Sequence, residues 1–433
     1  MAPGRPAAPR RPNVLIVGDF SFPYGTGASS RVFNYARGLQ AAGARVKVIC
    51  VEPSGRADTM NVAARGTYRG VPFEYTYGRT TRPSSAGWRR VLRLAKWPRF
   101  AVEVRRCAVA VGGLDAMLVY SRSLPCIALA WLSCRLLGAI LLHEDCELPF
   151  VWKAETPRLR VRRWLFQRVA FKAFDGCLVI STYLDAYCRR YLRPGAGTLL
   201  VPILVDVADV SPGDLGSGER GTDETGGGET GGAPAPPADG GNVLFAGSLD
   251  HPEVDDLLVA FAVVAAAFPE ARLEVLGAAK RAASLSHLRA RVDQLGLSGR
   301  VEFPGALPRE ALFERLSAAR LLVLPRPAGA FSQAGLPTKV AEYLASGVPT
   351  VVTAVGDLPL YLRDGIDAYL VAPGDPAAFG ARLCQALADP QAPAVGRRGR
   401  RVAAERFDPA RHGGRILAFI SALREGKTFV EDA

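Results

Sequence analysis

Two stretches of the sequence concentrate side chains able to hold or transform a ligand. In HEDCELP, His143, Glu144, Asp145 and Glu147 crowd the end of the apolar run AILLH. Charged groups at the carboxyl end of a parallel strand suit acid/base work or the hydroxyls of a polar ligand. His143 is therefore the candidate catalytic residue, with Glu144 and Glu147 beside it for a sugar or an acceptor. The second stretch, GLPTKVAEYLASGVPTVVTAVGDLPLYLRDGIDAYLVAPGDP, runs from Gly335 to Pro376. Pro337 fits the first turn of a helix, whose unpaired amides beside Thr338 and Lys339 suit a diphosphate. Glu342 follows on the same helical face as Lys339, where a carboxylate can accept both hydroxyl hydrogens of a ribose.

A third candidate is the glycine loop in FPYGTGASSRVF. Gly25 and Gly27 let backbone approach a phosphate or sugar, and Ser29 or Ser30 can cap the helix that follows. No metal is expected, because no second histidine stands at ligand spacing from His143 and no D-x-D falls at a strand end. No cofactor is expected either. The eight cysteines form no C-x-x-C pair and sit mostly in apolar runs, which points to reduced thiols in a reducing compartment.

These residues need strands and helices to hold them. Short apolar runs (NVLIVG, VKVICV, MLVY, AILLH, CLVIS, TLLVP) alternate with helical patterns in the first half, and NVLFAG, RLEVLG, VEF, RLLVLP and PTVVTA continue the alternation in the second. Runs apolar on both faces and separated by helices indicate α/β folding around parallel sheets. Between them, residues 211–240 are rich in Gly, Pro, Ser, Thr and acids and cannot bury enough apolar area to fold. The expected organisation is a loose basic tail over 1–12 and a Rossmann-like domain over 13–210. A flexible linker over 211–240, a second Rossmann-like domain over 241–408, and a helix and tail over 409–433 crossing back to the first domain complete it. Two such domains place a ligand cleft at the carboxyl ends of their strands.

The net charge of +13 is local. Arg79 to Arg106 contains nine Lys or Arg and one acid, and Lys153 to Lys172 contains seven and one. In WRRVLRLAKW, an apolar stripe of Trp88, Val91, Leu92 and Ala95 stands apart from Arg89, Arg90, Arg93 and Lys96, the pattern of a helix resting on an anionic membrane. Nucleic-acid binding is set aside because no recognised module accompanies the charge. The longest apolar stretch, Leu124 to Leu142, contains Arg135 and Gly138 and reads as a helix and a strand rather than a membrane span. The chain is expected to be cytoplasmic, peripheral on the inner face of the plasma membrane.

The Gly335–Pro376 run resembles the C-terminal signature of the family-4 retaining glycosyltransferases, of GT-B fold. LPRP from Leu324, LGLSGRVEFPGALPREAL from Leu295 and the opening PYGTG helix are similar to that family as well. The resemblance implies two Rossmann-like domains facing across a cleft, a nucleotide-sugar donor, retention of configuration and no metal. It places the ribose on Glu342 and the transferred sugar near the backbone of Gln333, Ala334, Gly335 and Leu336. There are two departures. The family's first carboxylate is replaced by Ala334, and its Arg and Lys for the diphosphate by Ser248 and Glu253. Lys339, Arg326 or Arg31 then has to supply the positive charge. The acceptor is unidentified, with a lipid-linked molecule as one option, and the competing readings are a non-catalytic nucleotide-sugar-binding protein and a nucleotide-sugar epimerase.

Overall fold

The computed structural model describes residues 10–25, 27–53, 61–110, 112–148, 156–210, 242–279, 281–427 and 429. The chain forms two compact units, unit 1 from Met1–Leu204 with Pro409–Ala433, and unit 2 from Val205–Asp408. Most of the expected tail and all of the expected linker, 211–240, lie outside the described residues. The division falls six residues before the expected boundary, because the 3-10 turn Val207–Val210 packs in unit 2, where Arg400 donates to the Val207 carbonyl at 3.3 Å.

In unit 1 the elements are β1 (Asn13–Gly18), α1 (Gly27–Ala41), β2 (Arg45–Cys50), β3 (Arg65–Tyr68), β4 (Val71–Tyr75), α2 (Ala86–Ala110) and β5 (Ala116–Tyr120). They continue with α3 (Leu124–Leu137), β6 (Ile140–Asp145), α4 (Pro157–Arg168), β7 (Gly176–Val179), α5 (Thr182–Tyr191) and β8 (Gly197–Leu200). The sheet order is β3-β4-β2-β1-β5-β6-β7-β8, parallel except for the β3–β4 hairpin at its edge. Every residue of β1 and β7 is buried, as expected of strands covered on both faces. Right-handed crossovers place α1 on one face and α2, α3, α4 and α5 on the other.

Unit 2 contains β9 (Val243–Ala246), α6 (Glu253–Ala267), β10 (Leu273–Leu276), α7 (Ala282–Gln294), β11 (Val301–Gly305), α8 (Arg309–Ala318), β12 (Leu321–Leu324) and α9 (Ala330–Ala334). It ends with α10 (Thr338–Ser346), β13 (Thr350–Thr353), α11 (Leu358–Tyr361), β14 (Tyr369–Val371), α12 (Pro376–Ala388) and α13 (Ala392–Arg406). The order β11-β10-β9-β12-β13-β14 is wholly parallel. The last helix, α14 (Pro409–Arg424), returns to unit 1 and lies on α1. Glycine makes that crossing possible, since a Cβ on Gly413 would lie 2.0 Å from the Gly38 carbonyl oxygen. Phe419 of the same helix covers Gly176 and Gly197, and with Ile416 and Ile420 joins the unit 1 core.

Candidate functional site

In unit 2 the strand order reverses between β9 and β12, and ligands of open α/β sheets bind beyond the carboxyl ends of the strands at that point. The residues there come from the first turn after β9 and from the loop after β12. Arg326, two residues beyond β12, has its backbone fixed by Thr353 at the end of β13, whose hydroxyl oxygen accepts from the Arg326 amide at 2.7 Å. Its guanidinium donates to Glu253 Oε2 at 2.9 Å and lies 5.0 Å from the centroid of the Phe331 ring. The Arg326 Nε is buried without a hydrogen-bond partner. Glu253 opens α6, where a carboxylate is favoured by the helix dipole, yet burial raises its pKa against the pull of Arg326. The sequence suggested that a family cation was lost at Glu253 and named Arg326 among its possible replacements. The structure pairs the two, with the acid on α6 and the cation on the β12 loop. A pocket of about 360 Å³, lined among others by Asp250, His251, Arg281 and His287, opens beside the start of α6.

Helix α10 carries the other expected donor residues. Pro337 is its N-cap rather than its first helical residue, Gly347 at φ 78° ends it, and Val340, Ala341, Tyr343, Leu344 and Ala345 form its buried face. Tyr343 ties the helix to the carboxyl end of β9, its hydroxyl accepting from the Ala246 amide at 2.7 Å. Lys339 and Glu342, expected to act separately, form an ion pair at 2.9 Å, with side chains 31% and 14% exposed. As N-cap, Pro337 offers no side-chain bond to the first amides of α10. Of the segment expected near the transferred sugar, Ala334 and Leu336 are buried, while Gln333 is exposed. That segment is fixed by Gly356 at φ 54°, whose amide donates to Gln333 Oε1 at 3.2 Å and where a Cβ would meet the Gln333 and Gly335 carbonyl oxygens at 3.0 Å.

The acid cluster of unit 1 is built differently. His143 lies inside β6, 1% exposed, enclosed by Phe166, Phe171 and Phe174, the last stacked at 4.6 Å between ring centroids. Its Nδ1 is 3.2 Å from the Val119 carbonyl oxygen, and burial, with the Arg122 charge adding, pushes its pKa down to about 3. The expectation of a histidine on a cleft wall is corrected: β6 runs two residues past His143, so its ring turns into the helix layer. Glu144 points to the opposite face and is also buried. It is ion-paired with Arg31 and accepts from the Tyr35 hydroxyl at 2.8 Å. Arg31 further donates to the carbonyls of Val201 and Pro202, each at 2.9 Å. Burial opposes the Arg31 charge, yet Glu144 outweighs it and holds the guanidinium above its ordinary value. Glu144 and Arg31 thus join α1, β6 and the segment after β8, which corrects the sugar-side role expected of Glu144 and the diphosphate role considered for Arg31. Burial likewise brings Asp145 up to about 6 despite Arg122 at 3.1 Å. Only Glu147 of the cluster is exposed.

Gly25 and Gly27 are exposed after β1. Ser29 does not cap α1, because its hydroxyl, within the helix, donates to the Ser21 carbonyl at 2.6 Å. On α2 the expected arrangement is partly reversed. Trp88 and Val91 are exposed, whereas Lys96 is 6% exposed and ion-paired with Glu52, so it is no membrane-facing cation. Arg90 is exposed, and the side chains of Arg89 and Arg93 lie outside the described residues. All eight cysteines are free thiols, five of them buried. Among the described residues no helix is long and apolar enough to cross a membrane, and no group of three His, Cys, Asp or Glu is placed to hold a metal ion.

Two parallel-sheet α/β units with these strand orders define a GT-B glycosyltransferase fold. Solved structures agree at the level of the fold. Sucrose-phosphate synthase from Thermosynechococcus elongatus superposes with a TM-score of 0.67 at 20% identity, over 95% of this chain and 100% of that one. Anabaena HepE in complex with UDP-glucose superposes with a TM-score of 0.64 at 17% identity, over 95% and 99%. Residues 240–389, which carry Glu253, Arg326, Lys339 and Glu342, match the family model of glycosyl transferases group 1. The chain is also 31% identical over 166 residues to a D-inositol 3-phosphate glycosyltransferase of Mycobacterium leprae, a match covering 37% of each protein. A Streptomyces scabiei protein of the same description is 34% identical over 170 residues, 36% of each. The chain thus spans little more than a third of the length of the curated relatives it matches.

Proposed function

We propose that the protein transfers a sugar, of hexosyl or N-acetylhexosaminyl type, from a nucleoside-diphosphate sugar held by unit 2 to an acceptor held by unit 1. The transfer retains anomeric configuration and requires no metal. The observation that carries this reading is the partly buried Arg326–Glu253 pair at the switch point of unit 2, in a segment that matches a glycosyltransferase family model. Arg326 supplies positive charge to the departing diphosphate, and the N-terminal amides of α10 supply more. Glu342 leaves Lys339 for the ribose hydroxyls, which frees Lys339 for a phosphate oxygen. The backbone of Gln333 to Leu336 lines the transferred sugar. A donor of this class is supported by the UDP and UDP-glucose bound in the HepE structures. His143 and Glu144 hold unit 1 together, which leaves Glu147 and the Gly25–Gly27 loop for the acceptor side. That acceptor is lipid-linked and met at the inner face of the plasma membrane.

One observation favours a second reading, a nucleotide-sugar-binding protein without turnover. Ala334, buried, stands where the family has a carboxylate for the transferred sugar. A panel of nucleotide sugars scored for thermal stabilisation tests the donor site, since a ligand at about 100 times its Kd adds roughly 2.7 kcal/mol. Donor consumption with and without a glycolipid fraction then separates transfer from binding. Stabilisation without any consumption would select the second reading, and stabilisation by no nucleotide sugar would refute both.

A further inference from the structure

The outer helix layer of unit 1 has a composition that its fold does not require. Helices α2, α3 and α4 together carry thirteen Lys or Arg and a single acid, Glu103. Glu103 is buried and bonded to Lys47 at 2.5 Å, so these helices present no exposed carboxylate of their own. They hold a net +12 of the chain's +13. The same helices expose large apolar side chains: Trp88 at 63%, Leu94 at 75%, Trp131 at 41%, Leu136 at 78%, Val161 at 58% and Trp164 at 58%. Ten of the exposed large apolar residues lie on these three helices, against three in the whole of unit 2. Exposed apolar residues scattered singly are ordinary, but a concentration of this kind marks a surface that something covers.

The covering partner follows from charge and residue type. Tryptophans with one polar edge, aliphatic side chains and an excess of arginines over acids fit the headgroup level of an anionic bilayer, where indole rings and guanidinium groups both gain. A protein partner or a second copy of this chain would need an acidic surface to match this excess of positive charge. The topology puts the three helices on one face of the sheet, with α2 against α3 and both α3 and α4 against the turn Ala170–Ala173. Helix α2 alone would have been a narrow contact. With α3, an almost uncharged helix exposing Trp131, Leu132 and Leu136, the layer has an apolar centre between two basic flanks.

We propose that this α2–α3–α4 layer is a docking surface for anionic lipid, with α3 entering the headgroup region and the arginines of α2 and α4 binding phosphates on either side. The proposal deepens the lipid-linked acceptor of the proposed function. Vesicle binding and donor binding are read separately, so either can fail alone.

The test is co-sedimentation of the full chain with phosphatidylcholine vesicles, with and without phosphatidylglycerol. Wild type pellets with the anionic vesicles only, and 1 M salt, where the Debye length is about 3 Å, releases it. Leu132→Glu with Leu136→Glu alters two exposed positions of α3 that lie outside the unit 1 core cluster. That variant loses at least about tenfold in vesicle partitioning and keeps its unfolding temperature and its stabilisation by nucleotide sugars. Trp164→Ser on α4 lowers partitioning as well. Wild type remaining in the supernatant with anionic vesicles at low salt would overturn the proposal, as would an α3 variant that partitions like wild type. A wild-type dimer that the α3 variant dissociates would overturn it in favour of a second copy.

Discussion

Each unit gathers charged residues beyond or at the ends of its strands, and the two groups differ in what their surroundings permit. In unit 1, β6 presents His143, Glu144 and Asp145, all of them buried, and each has its charge or ring occupied by neighbours in the same unit. In unit 2, Glu253 and Arg326 are likewise paired, but they stand where the strand order reverses, and Lys339 and Glu342 remain partly exposed. The β6 cluster lies one strand beyond the β1–β5 reversal of its own sheet. Position relative to the reversal, more than the density of acids and bases, separates a group that holds a fold together from one able to meet a ligand.

The largest effect that sharpens this contrast is expected at Glu144. Glu144→Ala leaves the Arg31 guanidinium buried without its counter-charge, which costs about 3 to 5 kcal/mol of stability. Chemical denaturation reads that loss, and the fraction still folded should bind a donor with unchanged affinity. A weakened donor Kd in that variant would break the comparison. At Arg326 the corresponding loss is about 3 kcal/mol, because Glu253 is left uncompensated in a less enclosed setting. Here donor affinity falls as well. The double variant Arg326→Gln with Glu253→Gln recovers most of the stability and none of the affinity, a split that a purely structural pair would not produce.

A smaller effect, about 2 kcal/mol, concerns pH. The His143 pKa is about 3 in the folded chain and near 6.5 when exposed, so the unfolded state alone takes up this proton as pH falls below 6.5. The stability contribution of a neutral His143 is present above that pH and declines from pH 7 to 5. Asp145 acts with the opposite sign, since its carboxyl, at about 6, takes up a proton in the folded state first. His143→Phe removes the first contribution and leaves the second. The unfolding midpoint of the variant should therefore rise relative to wild type as pH is lowered from 7 to 5. Parallel pH profiles for the two proteins would contradict the buried, neutral histidine.

Much of the architecture was readable in the residues, for a physical reason. Strands of a parallel sheet covered on both faces must be apolar throughout, so NVLIVG, CLVIS and RLLVLP announce β1, β7 and β12 directly. The outer elements β3 and β4 carried no such signal, because RGTY is almost wholly exposed and VPFEY alternates. The start of α10 was marked by Pro337 and its end by Gly347. What the sequence could not disclose was pairing across long separations. Lys96 faces inward because Glu52 lies beneath it, and Arg31 is committed because Glu144, 113 residues away, accepts from it. Glu253 was readable only as a missing cation until Arg326 was placed against it.

The central claim, a nucleotide-sugar site on unit 2 with its ribose on Glu342, is tested most directly by calorimetric titration of a nucleotide-sugar panel into wild type and Glu342→Gln. The account predicts that at least one donor binds wild type. It also predicts that the variant, with an unchanged unfolding temperature, binds that donor roughly 10- to 100-fold more weakly, the loss of a charge-assisted hydrogen bond worth about 1.5 to 3 kcal/mol. Equal dissociation constants in the two proteins would contradict the assignment of Glu342, and a wild type that binds none of the panel would contradict the site itself.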